Sequence, residues 1–313
     1  MTTPEIDRRE FLKESLLPAV ALPLLAAVGD TASEVAAGQA AAEGPPGIID
    51  TNVHLSDWPF RRLKYAKTAD LIAKLKKHRV MQAWAGTFDA VLHKNLDLAN
   101  SRLAEECRSN GAGMLVPFGS VCPLWPDWEE DLRRCHEVHR MPGVRVYPGY
   151  HNYTLARPEF AEFLAQATKR GMIVQIAIVL EDERVHHPII NVPPVDASPL
   201  VALLPKIPSA RVQLLNNNVA LRANSAAALV QQTQVTFDTA FIEAVGAIGR
   251  VIDGNHWSIR AKVPASRLLY GSNAPYAPCE AALLRLFESP LERQTIVAIM
   301  QENAKRVFDS KSA

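Results

Sequence analysis

Asn52 and His54 stand near the end of a short apolar run, Ile48-Ile49-Asp50-Thr51-Asn52-Val53-His54-Leu55. Side chains alternate between faces along a strand, so positions 52 and 54 face the same way. Two histidines at that spacing could share one metal ion, but an amide is a poor ligand for zinc. Other groups able to do chemistry also fall at the ends of apolar runs: Arg145 and Tyr147, with His151 beyond them, Asn216, Asp238 and Asn273. A charged stretch, Glu181-Asp182-Glu183-Arg184, leads to His186 and His187, and the first run is followed by Trp58, Arg61 and Arg62. The charged stretch also reads as a solvated face, and Asn216-Asn217-Asn218 as a turn. Arg145 on a core strand needs a carboxylate partner or a ligand, because an unpaired buried charge is costly. Its planar fork suits both oxygens of a carboxylate.

The elements that must position these groups alternate along the chain. Apolar runs at Gly47–His54, Val80–Ala85, Met114–Val121, Val144–Tyr147, Met172–Val179, Val212–Leu215, Val235–Phe237 and Leu268–Tyr270 lack strict alternation. That is expected of strands buried on both faces. Helical segments are predicted over Thr68–Lys77, Leu96–Asn110, Asp127–His139, Pro158–Arg170, Ser198–Leu204, Ser225–Gln232, Ala240–Ile252, Pro278–Phe287 and Leu291–Phe308. Repeated strand–helix units predict an α/β fold, a parallel (β/α)8 TIM barrel spanning residues 43–313. No Gly-x-Gly-x-x-Gly follows the first strand, which argues against an open dinucleotide-binding sheet. In such a barrel the C-terminal strand ends carry function, which is where the groups above lie.

A formal net charge of +1 with scattered Lys and Arg gives no basic stripe for nucleic acid. The four cysteines, Cys107, Cys122, Cys135 and Cys279, show no zinc spacing and read as small buried hydrophobes. Residues 1–42 read as an export signal and linker. Arg8-Arg9-Glu10-Phe11-Leu12-Lys13 resembles the twin-arginine motif, and an apolar stretch and an Ala-rich tract follow it. The expected location is periplasmic or otherwise exported. The apolar stretch is too short to span a bilayer, and no membrane span is expected after signal removal.

The strand ends also carry a family likeness. Ile49-Asp50-Thr51-Asn52-Val53-His54-Leu55, Gly143–Tyr150, Gly171–Ala177, Arg211–Asn216, Tyr270-Gly271-Ser272-Asn273-Ala274-Pro275 and the tail Glu302–Phe308 resemble, in order, motifs of the amidohydrolase superfamily. The branch is the amidohydrolase-related one, with decarboxylases and lactonase-like members. The resemblance implies histidines at positions 52, 54, 177 and 216 and an aspartate at 273; this chain keeps His54 and has Asn52, Ala177, Asn216 and Asn273. A degenerate metal site follows from the resemblance, with no metal ligand and no cofactor expected.

The expected function is a metal-independent hydrolase of a small carboxylated ester or lactone, its partner a small anionic molecule, with homo-oligomerisation left open. His54, His187 or Asp238 would manage protons and Asn273 would orient the substrate. Arg145, with Tyr147, Asn52, Asn216 and Glu181, would bind it. Two alternatives stand beside this: a catalytically inactive barrel used for binding or structure, and a metallohydrolase using an unorthodox set such as His54, His186 and Asp238.

Overall fold

The structure, a computed structural model, describes residues 47–310. The export reading of residues 1–42 lies outside the described residues. Eight strands form one parallel sheet in sequential order: β1 (Ile48–Leu55), β2 (Val80–Thr87), β3 (Leu115–Gly119), β4 (Gly143–Val146), β5 (Ile173–Ala177), β6 (Arg211–Leu215), β7 (Thr236–Asp238) and β8 (Leu268–Leu269). The sheet curls back on itself. Thr51 N donates to Tyr270 O at 2.9 Å and His54 N to Ala274 O at 2.8 Å, so β1 is tied to the segment leaving β8. The expected (β/α)8 barrel is the observed fold.

Each strand lies at its predicted run because both of its faces are buried, one toward the barrel axis and one toward the helices. Every residue of β1 is buried. The helices cover the outside with one apolar face each. Thr68–Lys77 buries Leu71, Ile72 and Leu75, and Pro158–Lys169 buries Phe160, Phe163 and Leu164. Both spacings are one helical face.

Three departures from expectation have local causes. The helix predicted from Ala240 begins only at Ala247, because Phe241, Ala244 and Gly246 hold positive φ and cannot continue a helix. Asn218–Arg222 is a short helix rather than only a turn. The closing helix contains a π turn, Ala298–Glu302, between Arg293–Val297 and Asn303–Asp309. All four cysteines are buried and free. No helix among the described residues is long and apolar enough to cross a membrane.

Candidate active site

The barrel interior below the mouth is polar. Arg145, Gln175 and Gln213 stand in register on β4, β5 and β6, and all are fully buried. Gln175 Nε2 donates to Gln213 Oε1 at 2.8 Å and to Thr51 O at 2.8 Å; Gln213 Nε2 donates to Thr51 Oγ1 at 2.7 Å. Arg145 spends all five of its N–H donors on protein acceptors. They are Gln175 Oε1 at 2.9 Å, Val53 O at 2.8 Å, His54 Nε2 at 3.1 Å, Thr51 O at 3.4 Å and Trp84 O at 3.0 Å. The expectation that Arg145 grips an anionic ligand is therefore corrected: its fork has no donor left to offer. Burial lowers its pKa, and the nearby Tyr147, Asp238 and Asp50 oppose that shift. Gly86 admits the guanidinium, because a Cβ there would come within 2.9 Å of both Arg145 Nη1 and Tyr147 Oη.

Asp238, at the end of β7, organises the mouth. Its Oδ1 accepts from Asn216 N and from Asn217 Nδ2, both at 2.9 Å, and its Oδ2 accepts from Asn52 Nδ2 at 2.7 Å. Asn52 Nδ2 also donates to Asn216 Oδ1 at 2.9 Å. Burial pushes the Asp238 carboxyl up to about 7, against the pull of the Asn52 and Asn216 hydrogen bonds. Asp50, on the same strand as Asn52, is raised to about 6, again by burial, while hydrogen bonds from Ser272 oppose it. Gly271 permits the close packing here, since a Cβ would lie 2.9 Å from Asp238 Oδ2.

Asn216, directly after β6, and Asn273, four residues beyond β8, hold positive φ, 52° and 57°, a conformation asparagine tolerates. Their amide groups pin the exit of β5: Asn216 Nδ2 donates to Val179 O at 2.9 Å and Asn273 Nδ2 to Leu180 O at 3.2 Å. A carboxylate at 273 could make neither the donation nor a neutral contact there. Asn273→Asp is expected to destabilise the fold by about 1–3 kcal/mol, the cost of stranding a buried carbonyl against an acceptor. Urea unfolding of the two proteins measures it; equal or greater stability in the variant would show that the aspartate finds a cation.

His54 is stacked on Phe88, with ring centroids 4.9 Å apart and planes 2° from parallel. Because Arg145 donates to Nε2, the ring proton belongs on Nδ1, which is buried and has no hydrogen-bond partner. Burial, then the Arg145 charge, holds the ring well below its usual pKa, so His54 is a neutral N–H donor. Tyr147 Oη is buried and donates to no acceptor, and burial raises the phenol to about 12 against the pull of the neighbouring Arg145. Trp58, Phe88 and Tyr276 roof the mouth: Phe88 and Tyr276 lie 4.7 Å apart and Trp58 and Tyr276 5.4 Å.

Two expected site residues lie apart from this network. Glu181 is buried under the roof, where it accepts from Arg61 Nε at 2.7 Å and leaves Oε2 unpartnered. His187 is exposed, its ring 5.7 Å from Phe60, and it joins none of the mouth groups. His186 Nε2 is taken up by Glu181 O at 3.2 Å. The structure thus brings together Asn52, His54, Arg145, Asn216 and Asp238, with Asn273 on the adjoining β5 exit. Asp50 and Asn217 were missed, although Asp50 stands in the same motif as Asn52 and His54.

No protein-family model and no curated protein matches the chain. Solved structures do match. A dihydroxybenzoic acid decarboxylase from Polaromonas, with bound manganese and the inhibitor 2-nitroresorcinol, is 13% identical with a TM-score of 0.65, over 84% of this chain and 97% of that one. The 2,6-dihydroxybenzoate decarboxylase from Rhizobium is 15% identical with a TM-score of 0.63, over 84% and 98%. An amidohydrolase from Staphylococcus aureus is 12% identical with a TM-score of 0.62, over 84% and 100%. The chain therefore shares the barrel fold of these decarboxylases and amidohydrolases.

These neighbours overturn two expectations. A metal-independent ester or lactone hydrolase finds no counterpart among the substrate-named neighbours, which are decarboxylases of aromatic acids. The expectation of no cofactor is corrected by the same comparison, since two of the neighbouring decarboxylase structures hold manganese, a divalent ion. The nitrogen ligands of the implied set are missing from this chain's mouth: His54 Nε2 faces a guanidinium and Ala177 has no donor. The buried oxygens left without partners are Asn52 Oδ1, Asn273 Oδ1 and Asp50 Oδ2, atoms of the type manganese takes, so an ion here would have to rest on them.

Proposed function

We propose that this barrel is an enzyme that removes carbon dioxide from a small aromatic carboxylic acid. Asp238 carries the reading: a buried carboxyl held near neutrality, among uncharged amides, at the functional end of the barrel. A group that keeps its proton at neutral pH can act as a general acid. The roof of Trp58, Phe88 and Tyr276 offers apolar ring faces against which an aromatic substrate can stack. The decarboxylases among the structural neighbours act on that class of molecule.

The step needs one proton. The Asp238 carboxyl protonates the ring carbon that bears the carboxylate, the bond between that carbon and the carboxylate breaks, and its electrons restore the ring. Carbon dioxide leaves, and the Asp238 carboxylate takes a proton from water. Neutral His54 offers its Nδ1 proton, and Tyr147 its hydroxyl, as uncommitted donors that can orient the substrate. The mouth groups are buried, so entry requires the roof to open, and the Arg61–Glu181 pair is the charged tie that must part.

The test is a panel of hydroxybenzoates and methoxybenzoates, assayed for carbon dioxide release with and without added manganese or zinc. Turnover of at least one acid is expected, and Asp238→Asn should lower its rate at least a hundredfold, within the usual range of a general acid's contribution. No carbon dioxide from any acid under any metal condition, or a fully active Asp238→Asn variant, would overturn the reading.

A further inference from the structure

Away from the mouth, three side chains of types that bind transition metals meet. His78 caps the helix Thr68–Lys77, and Cys279 and Glu280 open the helix Cys279–Phe287. Their ligand atoms all lie within 4.8 Å of one another. His78 Nε2 is 3.2 Å from Glu280 Oε1, and the Cys279 thiol donates to Glu280 Oε2 at 3.5 Å. Tetrahedral zinc with ordinary bond lengths would have N···O and S···O edges of about 3.3 and 3.6 Å. The two separations are close to those edges, each to a different oxygen of the Glu280 carboxylate, and the ligand atoms of all three residues lie within 4.8 Å of one another.

The cluster also has an unmet need. His78 Nε2 is buried and makes no hydrogen bond, although it points at the carboxylate. Cys279 is buried, while the Glu280 side chain is 39% exposed, so one side of the group is open to water. A cation is already drawn to this carboxylate, for the Lys74 ammonium pairs with Glu280 Oε1. Lys74 precedes His78 by one helical turn and so reaches from the same side. Its ammonium also lies 5.4 Å from the centre of the Tyr65 ring.

We propose that His78, Cys279 and Glu280 form a binding site for a zinc-class divalent ion, with water as a fourth ligand and Lys74 as its competitor. Histidine nitrogen, thiolate sulfur and carboxylate oxygen are all ligands that zinc takes, and three protein ligands leave a position open. Binding removes the thiol proton to solvent, forms the metal–sulfur bond and displaces the ammonium from Glu280. The ion is therefore bound more weakly as pH falls. This site is separate from the Asp238 network and stands whether or not the barrel decarboxylates anything.

Cobalt(II) titration of the full chain, followed by absorption, tests it. A near-ultraviolet sulfur-to-cobalt charge-transfer band is expected at one equivalent, and zinc should abolish it. Cys279→Ser should remove the band and His78→Ala should weaken binding at least tenfold. Lys74→Met should tighten it at least threefold, because the competing cation is gone. That variant alters a surface-reaching side chain and guards against a folding failure in the other two. Absence of a band at saturating cobalt, a band that persists in Cys279→Ser, or unchanged affinity in both His78→Ala and Lys74→Met would overturn the proposal.

Discussion

Arg145→Met is expected to cost the barrel about 3–5 kcal/mol, enough to unfold many domains of this size. The guanidinium is fully buried and spans three strands: it holds carbonyls of Thr51 and Val53 on β1 and Trp84 on β2, and Gln175 on β5. Methionine fills similar space but removes the donors that Arg145 gives Val53 O, Trp84 O, Gln175 Oε1 and His54 Nε2, while Thr51 O keeps Gln175 Nε2. Replacing a buried charge by an apolar group is often neutral when its partner is replaced as well. Here three of the five partners are backbone carbonyls, which no substitution can remove. Lysine should rescue little, because one ammonium has three donors for five acceptors spread around a plane. Guanidinium-chloride unfolding of wild type, Arg145→Met and Arg145→Lys measures this. A loss below 1 kcal/mol in both would mean that water enters the interior in place of the side chain.

Arg145 also shows where the sequence could and could not be read. A charged residue inside an apolar strand run signals an unusual interior, and that much is visible in Gly143-Val144-Arg145-Val146. Its partners are not visible. They are mostly backbone carbonyls, which every residue possesses, so no residue type announces them. Strand positions were legible because burial on both faces forces continuous apolar runs, and β1 through β8 lie within or beside them. The helix before Asp253 was misplaced because Phe241 and Ala244 adopt positive φ that neither residue favours, a tertiary choice with no local signal.

The mouth was legible by position more than by role. Asn52, His54, Asn216 and Asp238 do converge, since strand ends of a closed barrel have nowhere else to point. Asparagine at 216 and 273 looked like the loss of ligands. In the structure each amide does what the histidine or aspartate could not do as well, tolerating positive φ while donating to consecutive carbonyls at the β5 exit. Glu181 looked like part of a solvated charge run, but Arg61 draws it beneath the roof.

The decarboxylation rate should be highest below pH 7 and fall about tenfold per unit at higher pH, because the proposed step consumes the proton on Asp238. The same group should leave a mark on stability. Its carboxyl is raised from 3.8 to about 7 on folding, chiefly by burial. Between those values the folded chain keeps a proton that the unfolded chain has released. The contribution of Asp238 to stability therefore falls as pH rises through this window, by up to about 1.4 kcal/mol per unit, and levels off above it, while the buried neutral His54 and His151 act in the opposite direction below the ordinary histidine range. Asp50, raised to about 6, acts in the same direction over a narrower range. Asp238→Asn should remove this downward contribution between pH 6 and 7, where Asp50 contributes least, while keeping the Asn216 and Asn217 donations to a side-chain oxygen. Thermal unfolding across pH 4–8 for both proteins, run beside the rate profile, separates the two roles. A wild-type rate that climbs through pH 7 would make Asp238 a base rather than an acid. An unchanged stability slope in the variant would place the retained proton on another group.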